Sequence, residues 1–247
     1  NTLKVFEKML PIRLPKGAGA LPPPALLLPS CDGKGPSAQP KTFVYFPSCL
    51  SRVIGSPENT PSVPQLLLAL CQRASIPVWI PPDVYGTCCG MPFSSKGYTT
   101  TYRKMVAKTI QKFWTWSKQG QYPIVVDTTP CTYSLKTCSS FLPLELQEKY
   151  QQLHILDSIE FTKEYLLPKL SLTPLPEKVA LHPVCSAVKL NLVDMLSHIA
   201  QQCAQEVLIP AHANCCGFAG DRGFWFPELT QSALWMESEE LQHHSID

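Results

Sequence analysis

The stretch TFVYFPSC, residues 42–49, is an apolar run of strand-forming residues that ends in a cysteine. The same arrangement returns in KVALHPVC, residues 178–185. Further along each half, a second short apolar run leads to Cys-Cys-Gly, at 88–90 and again at 215–217. The two halves therefore carry the same sequence pattern, and we interpret it as an internal repeat.

Short apolar runs alternate with helical stretches from Thr42 onward. The predicted strands are TFVYF (42–46), PVWI (77–80), PIVVD (123–127), LHIL (153–156), KVALH (178–182) and EVLI (206–209). The predicted helices cover 62–74, 98–119, part of 133–150, 188–204 and 227–242. This alternation indicates a parallel sheet with helices on its faces. We predict an α/β fold of two tandem, Rossmann-like βαβ repeats with cysteines at the carboxyl ends of the strands.

Three segments are predicted along the chain. Residues 1–41 are rich in Pro, Gly and Ser and are interpreted as a connector. The first repeat is predicted at 42–172 and the second at 173–247, with TPLPE (173–177) as the hinge between them.

The second repeat is the shorter of the two. In the first half, a third strand leads to TTPC, residues 128–131, and the second half has no equivalent before Asp247. The chain also begins with Asn1 rather than Met. We therefore expect a piece of a longer polypeptide, with the matching element beyond Asp247.

The composition favours a globular protein that does not bind nucleic acid. Of the 247 residues, 45% are hydrophobic and 16% are charged, and the formal net charge is only +2. Lys and Arg form no concentrated patch, so a nucleic-acid partner is not expected. No apolar run approaches the ~18 residues that a transmembrane helix needs, so no transmembrane segment is predicted.

The chain has 11 cysteines, and they are better explained by metal binding than by disulfides. An odd number is a poor disulfide framework, and a chain of this length has no need of such crosslinks. Two pairs are vicinal, and neighbouring cysteines form a disulfide only with strain. The pattern favours an intracellular protein whose thiolates bind metal.

Two groups of cysteines lie just past the ends of predicted parallel strands, where ligands bind in open α/β sheets. The candidate metal ligands are Cys49, Cys88, Cys89 and Cys131 in the first half, and Cys185, Cys215 and Cys216 in the second. Gly90 and Gly217 follow the vicinal pairs, and we expect them to let the backbone approach a bound group closely.

The ligand type limits the choice of metal. Soft thiolates select zinc or iron–sulfur clusters over magnesium or calcium. Adjacent cysteines do not easily serve one tetrahedral zinc ion, whereas they can serve two irons of one cluster. An iron–sulfur cluster is therefore the leading interpretation, and zinc remains the competitor at one of the two sites.

The remaining cysteines are interpreted as packing residues or as incidental. Cys71 and Cys203 lie on predicted helices among apolar residues and are predicted to be core residues. Cys138 lies seven residues after Cys131, two turns along the same predicted helix face, and packing is favoured for it. Cys31, in the connector, is interpreted as incidental.

Histidines and aromatic residues are interpreted in the same way. His182 fits equally well as a partner of the site and as a core histidine, while His212, three residues before Cys215, is favoured as a neighbour of the site rather than a ligand. His243 and His244 are predicted to be solvated. The aromatic residues of the long helix, which are Tyr102, Trp114 and Trp116, are predicted to be core.

The motifs resemble a known family. They are YFPSCLSR, TCCGMPFSSKGY, DTTPCTYSLK, LHPVCSAVKL and NCCGFAGDRGF. They resemble the cysteine-rich CCG domain, a family that includes the B subunit of heterodisulfide reductase, the iron–sulfur subunit of glycolate oxidase and lactate-utilisation iron–sulfur proteins. More narrowly, residues 42–247 look like the C-terminal part of FAD-linked D-lactate dehydrogenases coupled to a quinone or cytochrome.

This resemblance implies a [4Fe–4S] cluster that relays electrons from FAD toward a quinone or cytochrome. The FAD would belong to a preceding flavin domain, accompanied by a ferredoxin-like domain, and the protein would be cytoplasmic or peripheral at the inner membrane. The chain alone is then expected to lack dehydrogenase activity. Two alternatives stay open: a CCG module whose cluster acts on a disulfide or other substrate, and a zinc-stabilised scaffold that docks partner subunits.

The chain departs from the family pattern in both halves, and in the second half the corresponding cysteine pair is absent from this chain. The family usually ends each half with Cys-x-x-Cys, but Thr128 stands where the leading cysteine of the first half would be. A conventional four-cysteine cluster remains compatible with that half. The second half offers three cysteines and is expected to be empty, or completed by residues outside this chain.

Overall fold

The first sheet has four strands, and all of them run parallel. They are β1 (Phe43–Phe46), β2 (Val78–Trp79), β3 (Ile124–Val126) and β4 (Ile155–Asp157), in the order β2-β1-β3-β4. Val44 is paired with Ile124, and Val126 with Asp157. The residues of β1 are at most 5% exposed, as expected for a strand covered on both faces. The predicted α/β fold with a parallel sheet is confirmed.

This computed structural model describes Pro24, Ala25, Leu28, residues 43–57 and 60–244, and Ile246. The predicted connector at 1–41, including Cys31, lies outside the described residues apart from Pro24, Ala25 and Leu28. Of these, Pro24 forms an isolated antiparallel bridge with Ile54 on the surface of the first half.

Helices connect and flank the strands. In the first half they are α1 (Cys49–Val53), α2 (Val63–Arg73), α3 (Met91–Ser94), α4 (Thr99–Trp116), α5 (Thr129–Lys136), α6 (Leu144–Gln151) and α7 (Ser158–Phe161). The second half contains α8 (Cys185–Lys189), α9 (Val193–Cys203), α10 (Arg222–Trp225) and α11 (Pro227–His243). Short 3₁₀ turns span Ser139–Phe141 and Leu167–Lys169, and a π-helical turn spans Thr162–Leu166.

The longest helix, α4, packs an apolar face on the first sheet. Its buried residues recur every three or four positions, and they are Tyr102, Val106, Thr109, Ile110, Phe113 and Trp116. Phe113 lies edge-on to Phe46 of β1, with ring centroids 5.0 Å apart. The core prediction is confirmed for Tyr102 and Trp116, whereas Trp114 is only half-buried.

The second sheet has two parallel strands, β5 (Leu175–Ala180) and β6 (Ala204–Leu208). Lys178 is paired with Glu206, and their side chains form an ion pair of 2.7 Å. The hinge predicted at 173–177 is wrong in its second part, because Leu175 already pairs with Ala204 and the strand continues through a shift in register.

The helix predicted at 188–204 is divided into α8 and α9. Asn191 has a left-handed φ of 56°, a conformation that interrupts a helix and that asparagine tolerates better than most residues. Cys203 ends α9 and is exposed, so its prediction as a core residue is wrong. The described residues of α9 include none that is fully buried.

Cys138 lies beyond the end of α5, so the prediction that it shares a helix face with Cys131 is wrong. Its packing role is nevertheless confirmed, because it is fully buried and its thiol donates to the carbonyl of Leu135. Burial raises the pKa of Cys138 to about 12 and that of Cys71, also in the core, to about 12.

Charged side chains contribute to the contacts between the two halves in the described part of the chain. Lys96, which follows α3, forms an ion pair of 2.6 Å with Asp221, just before α10. The ammonium of Lys189 in α8 lies 5.2 Å from the ring centroid of Tyr133 in α5. Across the described ranges, no helix combines the length and the apolar character required for a membrane span.

Candidate functional site

Four thiols from three different strand ends meet at the carboxyl edge of the first sheet. Cys49 follows β1, the vicinal pair Cys88 and Cys89 follows β2, and Cys131 follows β3. We call these four residues the first cysteine site. The thiol of Cys49 lies beside that of Cys88, and that of Cys88 beside Cys89, while Cys89 donates a hydrogen bond to Cys131 with a sulfur–sulfur distance of 2.9 Å. The structure thus brings together all four ligands predicted in the first half.

The site is buried at one end and open at the other. Cys89 and Cys131 are 2% and 6% exposed, whereas Cys49 and Cys88 are half-buried. The pKa of the Cys49 thiol is raised by its hydrogen bond with Cys88 and by burial, while the Arg52 charge opposes part of that rise. The pKa of Cys89 is raised mainly by its hydrogen bond with Cys131 and by burial, against a lowering contribution from Cys88. Negative charge on these sulfurs therefore requires a positive neighbour.

Asp127, at the end of β3, fixes the loop that carries Cys49. Its carboxylate accepts hydrogen bonds from the hydroxyl of Tyr45 and the backbone N–H of Ser48, each at 2.8 Å. The hydroxyl of Thr128 lies 3.0 Å from the same carboxylate, to which it can donate, and 2.9 Å from the Ser48 hydroxyl. Thr128 thus belongs to the hydroxyl and carboxylate network beside the thiols.

The Cys88–Cys89 turn is held from two helices. The Thr109 hydroxyl of α4 donates to the carbonyl of Cys88 at 2.8 Å, and the Ser134 hydroxyl of α5 donates to the carbonyl of Cys89 at 2.7 Å. Both hydroxyl residues are buried, at 0% and 3% exposed. These bonds satisfy the two backbone carbonyls of the turn, while the two thiols contact one another.

Gly90 and Gly217 have a reason to be glycine that the sequence did not reveal. Both adopt left-handed backbone, with φ of 80° and 68°. A Cβ at Gly90 would lie 2.6 Å from the ring of Tyr102, and one at Gly217 would lie 2.9 Å from the carbonyl oxygen of Leu229. Close approach of these glycines to a bound group stays a prediction.

We expect Gly90→Ala to lower the free energy of unfolding by roughly 2–4 kcal/mol, combining left-handed strain with overpacking against Tyr102. Gly97→Ala is the matched control, because Gly97 has a φ of 78° and nothing within 4 Å of an added Cβ. Strain alone predicts about 1–2 kcal/mol for the control. Denaturant unfolding measures both variants, and equal losses would show that the Tyr102 contact is not the cause.

The second group of cysteines is more exposed. Cys185 lies at the start of α8 with its thiol beside that of Cys215, and both residues are exposed, while Cys216 is half-buried. The pKa of Cys215 is lowered, first by the backbone N–H of Gly217 and then by the Cys185 thiol. The structure thus places Cys185 beside Cys215, with Cys216 as the next residue along the chain.

Both singled-out histidines contact glutamates of α11. His182 Nδ1 lies 2.7 Å from a carboxylate oxygen of Glu237, which is only 5% exposed. His212 Nδ1 lies 2.9 Å from Glu240, whose carboxylate also accepts from the backbone N–H of Ala211 and His212. His243 and His244 are exposed, as predicted.

The first cysteine site has a donor set that fits a thiolate-bound cluster. The four sulfurs follow one another in contact, and the pKa values of Cys49, Cys88 and Cys89 are raised by neighbouring thiols and by burial, so the site offers a set of soft ligands. Within the parts of the chain that the structure describes, no three His, Cys, Asp or Glu side chains are arranged around one metal ion.

A family model covers this part of the chain. Residues 43–136 match the CCG model, which is described as a cysteine-rich domain, and the match contains all four cysteines of the first site. This part of the chain is similar to the cysteine-rich CCG family. The matched residues comprise β1 to β3 and all of α5, so the sequence match and the thiol contacts concern the same structural unit.

The relatives that contain similar sequence are named as redox proteins or as proteins of lactate metabolism. The C subunit of anaerobic glycerol-3-phosphate dehydrogenase from Escherichia coli (strain K12) is 27% identical over 143 residues, which are 56% of this chain and 35% of that protein. Lactate utilization protein A from Oceanobacillus iheyensis is 25% identical over 166 residues, which are 64% of this chain and 65% of that protein. The chain thus spans about a third of the first relative and just under two thirds of the second.

Sequence reasoning missed several polar residues that support the first cysteine site. Asp127 is recognisable in the sequence only as the end of a strand, although a carboxylate at a carboxyl strand end is a usable signal. Arg52 lies inside the YFPSCLSR motif, which does not reveal its role. Nothing in the sequence indicates the role of Thr109 and Ser134, because their contacts to the Cys88–Cys89 turn depend on how two helices pack.

Proposed function

We propose that the first cysteine site binds a [4Fe–4S] cluster and that this chain is an electron-transfer module of a dehydrogenase. The observation that carries the proposal is the unbroken series of contacts from Cys49 through Cys88 and Cys89 to Cys131. The match to the CCG family and the likeness to a dehydrogenase subunit support it. When bound, such a cluster accepts and donates single electrons.

The residues of the chain have separate tasks in this proposal. The four cysteines would hold the cluster, and Asp127, Thr109 and Ser134 would fix the backbone that carries them. Burial of Cys89 and Cys131 would exclude water from one side, whereas the half-buried Cys49 and Cys88 would leave the other side closer to a redox partner.

The finer assignment is a D-lactate or related D-2-hydroxyacid dehydrogenase linked to FAD. Support comes from the motifs of both halves and from the similarity to lactate utilization protein A. We propose that a flavin domain supplies electrons, accompanied by a ferredoxin-like domain, and that a quinone or cytochrome receives them, in the cytoplasm or at the inner membrane surface. In this proposal residues 173–247 are a second CCG repeat, whose three cysteines are completed by other parts of the polypeptide.

Metal analysis of anaerobically purified protein tests the proposal. We expect roughly four iron atoms and four sulfides per chain, and a paramagnetic signal that appears on reduction with dithionite. Zinc is the competing occupant, since it also accepts thiolate ligands. A colourless protein with one zinc and no iron, prepared without oxygen, would overturn the electron-transfer proposal.

A further inference from the structure

Arg52 is a buried cation beside the first cysteine site. Its side chain is only 9% exposed, and its guanidinium lies 5.7 Å from the ring centroid of Phe46 and 6.0 Å from that of Tyr85. No ion pair joins it to an aspartate or glutamate in the described ranges. A buried charge without a counter-charge is costly, so its presence here needs a reason.

The hydrogen bonds of Arg52 connect the two loops that carry ligands. Its Nε donates to the carbonyl of Ser48 at 3.2 Å, and Ser48 directly precedes Cys49. Its Nη2 donates to the carbonyl of Thr87 at 2.6 Å, and Thr87 directly precedes Cys88. A third bond, from Nη1 to the carbonyl of Val84, measures 2.7 Å. The planar, forked guanidinium is suited to such divergent acceptors, whereas a lysine ammonium is a single point.

All three acceptors are neutral carbonyls, so these bonds orient the guanidinium and leave its positive charge uncompensated. The Arg52 charge acts on Cys49, a member of the ligand set, which would become negative when it binds a cluster. Four thiolates and a [4Fe–4S] core carry a net negative charge, and the charge grows by one when the cluster takes up an electron. A fixed cation next to Cys49 and Cys88 therefore favours the reduced state over the oxidised state.

We propose that Arg52 is a positioning residue that joins the Cys49 and Cys88 loops and acts as the counter-charge of an anionic iron–sulfur cluster. The inference rests on the proposed function of the first cysteine site. It adds a separate role, because it assigns the tuning of cluster loading and of reduction potential to a residue that ligates no metal.

The test compares three variants of the full chain after anaerobic reconstitution: Arg52→Gln, Arg52→Lys and Arg73→Gln. Arg73 is an exposed arginine in the last turn of α2 and serves as the matched control. Iron per chain reports loading, and a dithionite titration followed by electron paramagnetic resonance reports the midpoint potential. Circular dichroism confirms that each variant is folded.

We expect Arg52→Gln to lose part of its iron and to shift the oxidised-to-reduced ratio about tenfold toward the oxidised form at a fixed potential, which is ~59 mV for one electron. Arg52→Lys should keep a potential near that of the wild type, because the charge remains, yet load less iron, because one ammonium cannot bridge the two loops. Arg73→Gln should match the wild type in both readouts.

Each other outcome contradicts the inference. Equal loading and potential in Arg52→Gln and Arg73→Gln would remove both roles of Arg52. A loss of iron with no change of potential in Arg52→Gln would reduce Arg52 to a structural residue. If the wild-type chain itself loads no iron, the proposed function fails first and the inference about Arg52 falls with it, so the two failures are distinguished by the wild-type sample.

Discussion

Replacement of Cys89 by serine is expected to remove nearly all iron and sulfide from the first cysteine site. Cys89 contacts both Cys88 and Cys131 and is only 2% exposed, so its loss interrupts the middle of the ligand set. A serine oxygen is a harder and poorer ligand for iron than a thiolate. The loss should exceed the roughly 10–100-fold drop in metal affinity that follows removal of an outer-shell partner.

Iron and sulfide analysis after anaerobic reconstitution measures this effect, with circular dichroism to confirm folding. Cys71→Ala is the matched control, because Cys71 is equally buried but lies on α2 in the hydrophobic core. We expect the control to keep its iron. Cys49→Ser, at the half-buried end, provides a second test that disturbs the core less. Full iron content in the Cys89 variant would exclude this residue as a ligand.

Phe113→Ala should lower the free energy of unfolding by about 3–5 kcal/mol, the usual cost of truncating a buried phenylalanine. Phe113 is fully buried on the face of α4 that packs on the first sheet. Its ring centroid lies 5.0 Å from that of Phe46 and 6.0 Å from that of Trp116. The cavity would open directly beneath β1, the strand that leads to Cys49.

Denaturant unfolding monitored by circular dichroism gives the value. Gln111→Ala on the exposed side of α4 is the control, and we expect it to stay within about 0.5 kcal/mol of the wild type. A similar change in both variants would mean that α4 does not pack on the sheet as described.

The strands were the most predictable part of the fold. Each of the six predicted apolar runs overlaps a strand, and in the first sheet the β-branched and aromatic residues of β1 and β3, buried on both faces, leave few alternatives. The errors lie where tertiary contacts decide. The break at Asn191 depends on one left-handed residue, and the early start of β5 depends on pairing between Leu175 and Ala204.

The candidate site was predictable only in its sulfurs. The rule that ligands gather at the carboxyl ends of parallel strands was enough to group Cys49, Cys88, Cys89 and Cys131. Their supporting residues were not predictable, because Arg52 and Asp127 act through contacts across 32 to 82 residues of chain. A single sequence contains no direct record of such pairs.

The position of the first sheet along the sequence has a consequence for how the protein is made. All four strands of the first sheet, and all four thiols at its edge, are encoded between residues 43 and 157. A ribosome therefore completes every ligand of the first cysteine site before it begins β5. Since chains generally fold unit by unit from the N-terminus during synthesis, the nascent protein can assemble this thiol pocket while the second half is still being translated.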